Sequence, residues 1–219
     1  LLIVTCGDSF TFGEGLTKQS QAYPYLVSSA LNAEVINLSQ SGASEYLITT
    51  QIEQAVKLNP DLILVGHTNE YRWQVWDFRK NMRQGFIVAT HVLTNEKYYR
   101  NWVLSEQLLG NKRQNTKEHR AAWHAAGMLY FSEEDEVQRL WECAVAKQIV
   151  LCQRAGIPLI HHCCFPHLQP NLAELTDDYV DFHLDLEKHK DPAPDNSHAG
   201  PKSHLTLSSL LIRKYRQNL

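Results

Sequence analysis

The sequence predicts an α/β fold, with a central parallel sheet of about five strands, helices on both faces and one insertion. Three observations carry this. Strand-length segments recur at residues 1–5, 33–38, 62–66 and 157–165, and those at 1–5 and 62–66 are apolar throughout or nearly so, the pattern of strands buried on both faces. Stretches with helical periodicity separate them, and strand–helix alternation builds parallel crossovers. Finally, 219 residues, 43% of them apolar, are enough for one sizeable core. That length fits a single domain over 1–219 with a long insertion better than two complete domains.

The elements follow in order. Residues 1–5 (LLIVT) are apolar and β-branched and run into Gly7-Asp8-Ser9, a strand ending in a turn. Residues 21–31 (QAYPYLVSSAL) have helical spacing, and 33–38 (AEVINL) form a second strand. Over 44–58, Leu47, Ile48, Ile52, Ala55 and Val56 follow the 3.6 period until Asn59-Pro60-Asp61 stops the helix. Residues 62–66 (LILVG) are a third buried strand. From 71 to 131 the pattern turns aromatic, basic and irregular, with Trp73, Trp76, Trp102 and Trp123, and reads as an insertion of helices and loops. Ser132-Glu133-Glu134-Asp135 reads as an N-cap with an acidic first turn. The helix after it runs to about Ala155, with Val137, Leu140, Trp141, Ala144, Val145, Gln148 and Leu151 on one stripe. Gly156 ends it, 157–165 (IPLIHHCCF) is a fourth strand, and a short fifth falls at 179–184. A Pro/Asp/Asn/Gly loop at 191–201 leads into a closing helix over 202–217.

Composition removes several classes of function. Lys and Arg total 21 against 24 Asp and Glu, a net charge of −3. With no basic excess to engage a phosphate backbone, a nucleic-acid partner is not expected. The longest apolar runs are strand-length, so no membrane partner is expected either. The five cysteines are odd in number and lack framework spacing, which argues against a disulfide scaffold. The same cysteine pattern points to a reducing, intracellular setting. No signal peptide is visible, but the chain opens without a Met, as a truncated N-terminus does, so the expected localisation is cytoplasmic or unknown.

The chemistry lies in four separated groups. Ser9 sits just past the first strand, where functional groups of open parallel sheets gather. A serine hydroxyl needs a base within hydrogen-bond reach and a third group to orient that base. Asp195 and His198, three apart on one loop, supply a carboxylate and an imidazole that lie side by side. An acyl-transfer site also needs donors for the oxyanion. Gly42, after the second strand, offers an N–H that no side chain blocks. Asn69, past the third strand, offers its amide, and the Ser9 N–H is the third donor.

In order, Gly7-Asp8-Ser9-Phe10, the stretch from Asn37 to Gly42, Asn69, and Asp195 to His198 resemble the four blocks of the SGNH (GDSL-like) hydrolases. Pro201 and His204 also fall where a Pro and a later His often open the family's last helix. The resemblance covers roughly 1–70 and 155–219. It implies a flavodoxin-like three-layer fold and hydrolysis of esters or acetyl esters without a metal or other cofactor. Two positions depart from the pattern. The asparagine block is usually Gly-x-Asn-Asp; here it is shifted by one, or His67 and Glu70 replace the Gly and Asp. The usual Pro after the catalytic His is Ala199. No Gly-x-Ser-x-Gly elbow is present, which disfavours an α/β-hydrolase.

Other residues invite chemistry and are given blander readings. His161, His162, Cys163, Cys164 and His167 suggest a metal, but strand alternation sends His161 and Cys163 to one face and His162 and Cys164 to the other. His167 could face the active-site edge. Asp8, Arg72 and Trp73 are candidate substrate contacts, the ring stacking on a sugar or covering an acyl group. Alternatively Trp73 and Trp76 anchor the insertion. Lys112, Arg113, Lys117 and Arg120 read as a solvated helix face. The Asn37-Leu38-Ser39 sequon reads as chance. The expected function is a serine hydrolase of carboxylic esters, foremost a carbohydrate O-acetylesterase or short-chain esterase taking a small-molecule or carbohydrate ester. The alternatives are an acyl transferase with the same triad and a non-catalytic module of a larger assembly.

Overall fold

The computed structural model describes residues 1–70, 72–77, 82–87, 134–165, 168–182, 184 and 191–219. Its centre is a parallel sheet of β1 (Leu2–Cys6), β2 (Glu34–Asn37), β3 (Leu62–His67), β6 (Leu159–Cys163) and β7 (Tyr179–Val180), in the order β2-β1-β3-β6-β7. Register pairs Ile3 with Val35 and Leu62, and Val65 with His161.

Strand alternation divides the core in two. Ile3, Leu62, Leu64 and Ile160 face one side, covered by α2 (Tyr23–Leu31) and α6 (Pro201–Gln217) through Tyr23, Val27, Leu207 and Leu211. Val4, Cys6, Ile63 and Val65 face the other, covered by α3 (Glu45–Lys57) and α4 (Glu134–Ala155) through Ile48, Ile52, Ala55 and Cys152. The result is three layers, with α2 packed beside α6 and α3 beside α4.

Local signals explain the helix ends. Ser44 caps α3 by accepting from Leu47 N at 3.3 Å, with Glu45 in the first turn and Lys57 in the last, each sign suited to the helix dipole. Proline opens α2 and α6, where its missing N–H costs nothing.

The structure differs from expectation in five places. The fifth strand shrinks to Tyr179–Val180, although Phe182 and Leu184 beyond it stay in the core. Two short helices, α1 (Ser9–Phe12) and α5 (Gln169–Leu175), and a 3-10 turn at Gln19–Gln21 are too brief to show periodicity. The described part of the 71–131 stretch is neither helix nor loop. It is an antiparallel ribbon of β4 (Arg72–Asp77) and β5 (Met82–Ile87), pairing Arg72 with Ile87 and Asp77 with Met82. Its Trp, Val, Phe and Ile residues suit a pleated pair. The rest of that stretch, with Trp102, Trp123, Lys112, Arg113, Lys117 and Arg120, lies outside the described residues, as do Ser132 and His167. No described helix is long and apolar enough to cross a membrane.

Candidate active site

The strand order places the carboxyl ends of β2, β1 and β3 side by side. In open α/β sheets the crevice forms there, at the switch point between neighbouring strands. Gly7-Asp8-Ser9 leaves β1, Gln40-Ser41-Gly42 follows β2, and Thr68-Asn69 follows β3. The first two are tied together: Gln40 N donates to Gly7 O at 3.1 Å. The Gln51 amide clamps the same glycine, accepting from Gly7 N at 2.7 Å and donating to Gly7 O at 3.1 Å.

The loop before α6 reaches this edge. It is closed by the Pro192–Ala199 bridge and by Ala193 N donating to His198 O at 2.8 Å. Within it, His198 Nδ1 donates to Asp195 Oδ2 at 2.6 Å, and Asp195 Oδ1 accepts from Ser197 N at 3.0 Å and His198 N at 3.1 Å. Partial burial raises the Asp195 pKa, but the Ser197 N–H, the His198 ring and the His198 N–H outweigh it and hold the carboxyl below its ordinary value. The bond at Nδ1 leaves Nε2 as the free face of the ring. The His198 ring packs on Phe10, the residue after Ser9, with centroids 5.2 Å apart.

Ser9 is the first residue of α1 and 4% exposed. Its N–H is one of the first-turn amides that lack an intrahelical acceptor. Asp8 is the N-cap, its Oδ1 accepting from Phe10 N at 2.9 Å. Its Oδ2 accepts from Thr68 Oγ1 at 2.8 Å, and Cys164 Sγ lies 3.7 Å from Oδ1. Asp8 is fully buried, and its carboxylate joins the β1 and β3 loops.

Asn69 is half-buried and follows a residue held at three points. Thr68 N donates to Glu45 Oε2 at 3.2 Å, Thr68 O accepts from Trp141 Nε1 at 3.1 Å, and Thr68 Oγ1 holds Asp8. Glu45 also accepts from Gln148 Nε2 at 2.7 Å and from His67 Nδ1 at 2.9 Å. His67 Nε2 then accepts from His161 Nδ1 at 2.8 Å, so a buried Glu-His-His chain underlies the asparagine loop. Gly42 is half-buried with φ of 74°, the left-handed region that favours glycine.

The structure thus gathers the loops bearing Ser9, Gly42, Asn69, Asp195 and His198 along one edge. Arg72 and Trp73 occupy adjacent positions of β4, paired with Ile87 and Phe86 of β5. On β6 the alternation is as expected: Cys163 packs with Trp141 on one side, Cys164 with Tyr23 on the other. His162 Nε2 bonds the Tyr23 hydroxyl at 2.9 Å. Among the described residues no group of three His, Cys, Asp or Glu side chains could hold a metal ion. The Asn37 side chain is committed internally, accepting from Thr5 Oγ1 at 2.9 Å and from Ser39.

Sequence reasoning missed Glu14, Gly15, Ser41, Glu45, Gln51, Thr68 and Trp141. A polar residue on an apolar helix stripe was the available signal, as with Gln148, whose amide serves Glu45. Gly15 has φ of 80° and backs directly on Asp195: a Cβ there would lie 2.5 Å from the carboxylate.

No family model matches the chain, and no curated protein matches it in sequence. Its fold is nonetheless shared with solved structures. TesA is similar at a TM-score of 0.57 and 13% identity, over 100% of each chain. The psychrotrophic esterase EstA from Pseudoalteromonas, inhibited by monoethylphosphonate, is similar at 0.53 and 10% identity, over 99% of this chain and 97% of EstA. A family two carbohydrate esterase from Clostridium thermocellum, in complex with cellohexaose, is similar at 0.54 and 12% identity; the match covers 99% of this chain but 64% of the esterase. The chain has the SGNH hydrolase fold.

Proposed function

We propose that this chain is a serine esterase that removes short acyl groups, foremost acetyl, from carbohydrate or other polyhydroxy alcohols. The observation that carries the reading is the Asp195–His198 pair, bonded at 2.6 Å, with its ring against Phe10 beside Ser9. In this reading His198 Nε2 takes the Ser9 proton as Oγ attacks the ester carbonyl. The Ser9 N–H, the Gly42 N–H and the Asn69 amide donate to the oxyanion. His198 returns the proton to the departing alcohol, water then cleaves the acyl-serine by the same route, and Asp195 fixes the tautomer throughout. Carbohydrate esterases of the same fold support the substrate class.

A series of 4-nitrophenyl esters tests it. Acetate is expected to exceed dodecanoate in kcat/KM by roughly tenfold or more, the scale on which a small pocket discriminates chain length. Dodecanoate as the better substrate would overturn the short-chain assignment. Gly15→Ala is expected to lower kcat about 100-fold by displacing the Asp195 carboxylate, while the fold survives. Unchanged kcat in a variant with wild-type Tm would show that Asp195 tolerates the displacement.

A further inference from the structure

The triad chemistry leaves Glu14 without a role, although its carboxylate lies 4.0 Å from the proton-delivering nitrogen. It lies in the Gly13-Glu14-Gly15 loop after α1, its N–H donating to Ser9 O at 3.0 Å. Its Oε2 accepts a hydrogen bond from Ser41 Oγ, on the residue before Gly42. The same Oε2 lies 4.0 Å from His198 Nε2 with the side chain 44% exposed, so the carboxylate is anchored at one end and open to solvent.

Resting on the serine-esterase reading, we propose that Glu14 is the leaving-group determinant: its carboxylate accepts a hydrogen bond from a hydroxyl vicinal to the ester oxygen. The geometry follows from where the alcohol must leave. As the acyl C–O bond breaks, the acyl group stays on Ser9 Oγ and the alkoxide oxygen takes the proton from His198 Nε2. That oxygen must therefore sit within about 3 Å of Nε2. A hydroxyl on the adjacent carbon then falls within reach of Glu14 Oε2, and a charge-assisted bond forms. An alcohol carrying an anion at that carbon meets a like charge and is rejected. The ligand class is a neutral 1,2-diol or sugar monoester.

The test compares kcat/KM for 2-hydroxyethyl acetate with that for ethyl acetate, which differ only in the vicinal hydroxyl. The wild type is expected to favour the hydroxyethyl ester about tenfold, the low end for a hydrogen bond to a charged group. Glu14→Ala is expected to bring the ratio near one. Glu14→Gln, which keeps an acceptor oxygen, and Ser41→Ala, which frees the carboxylate, should fall between. A substituent that merely steadied His198 would lower both rates together and leave the ratio intact. An unchanged ratio in Glu14→Ala, or a wild-type ratio near one, overturns the proposal. So does a selective loss of acetylcholine hydrolysis in its place, which would mark a cation site. A wild type that cleaves none of these esters and whose Ser9 resists a fluorophosphonate removes the esterase reading as well, so the two failures are distinguishable.

Discussion

Ser9→Ala is expected to lower kcat on 4-nitrophenyl acetate by about 10,000-fold or more while leaving the fold intact. The size follows from the way nucleophile, base and orienting acid act as a unit, so that loss of the nucleophile removes nearly all that the three achieve. Intact folding follows from local structure. The cap of α1 is the Asp8 carboxylate, and Ser9 contributes to the helix through its backbone O, which accepts from Gly13 N and Glu14 N at 3.0 Å. Deleting the hydroxyl disturbs neither. Thermal unfolding should therefore stay within about 1 kcal/mol of wild type, ordinary for a substitution that opens no cavity. A kcat loss of less than about tenfold in a folded variant would mean that another group attacks the ester.

The second large effect is on stability in mild acid. His161, His162 and His204 are buried and neutral. Burial lowers all three pKa values, helped by the neighbouring His67 in the first two cases; His162 is held at about 3 and His204 at about 4, Asp191 opposing the latter shift. Each ring is also committed in its neutral form: His161 donates to His67, His162 Nε2 meets Tyr23, and His204 Nδ1 accepts from Tyr23 N at 3.2 Å. The folded values lie below the unfolded value of 6.5, so the unfolded chain binds more protons between about pH 4 and 6.5. Stability is therefore full above 6.5 and falls as pH drops through that window, by about 1.4 kcal/mol per pH unit for each ring. For His162 and His204 together the loss reaches about 4 kcal/mol by pH 5, a large share of the total stability of an ordinary domain, and His161 acts in the same direction. The lowered Asp195 pKa acts in the same direction but only in stronger acid, below the ordinary carboxylate value. Urea midpoints measured from pH 8 to 5 should show this fall. A flat profile would mean that the three rings take up protons without unfolding.

The strands and the four polar blocks were legible for different reasons. β1 and most of β3 are nearly continuous apolar runs, a signal that parallel burial imposes on both faces at once. Ser9, Gly42, Asn69, Asp195 and His198 could be read because strand ends collect function and because Asp195 and His198 are close in sequence. The ribbon of β4 and β5 was hidden in a stretch whose aromatic and basic residues obscure a six-residue alternation. The support beneath the site was hidden for another reason. Glu45 meets His67, Thr68 and Gln148 across 22, 23 and 103 residues, and His67 meets His161 across 94. Such pairings follow from register and layer packing, which no local pattern encodes. Asp8 shows the same limit: its partner Thr68 lies 60 residues away.

The central claim is that Ser9 is an activated nucleophile. The most direct measurement is fluorophosphonate labelling read by intact mass on the wild type and on Ser9→Ala. A single adduct on the wild type and none on the variant is the predicted result. A folded wild type that stays unlabelled, or a variant that labels equally, would contradict it.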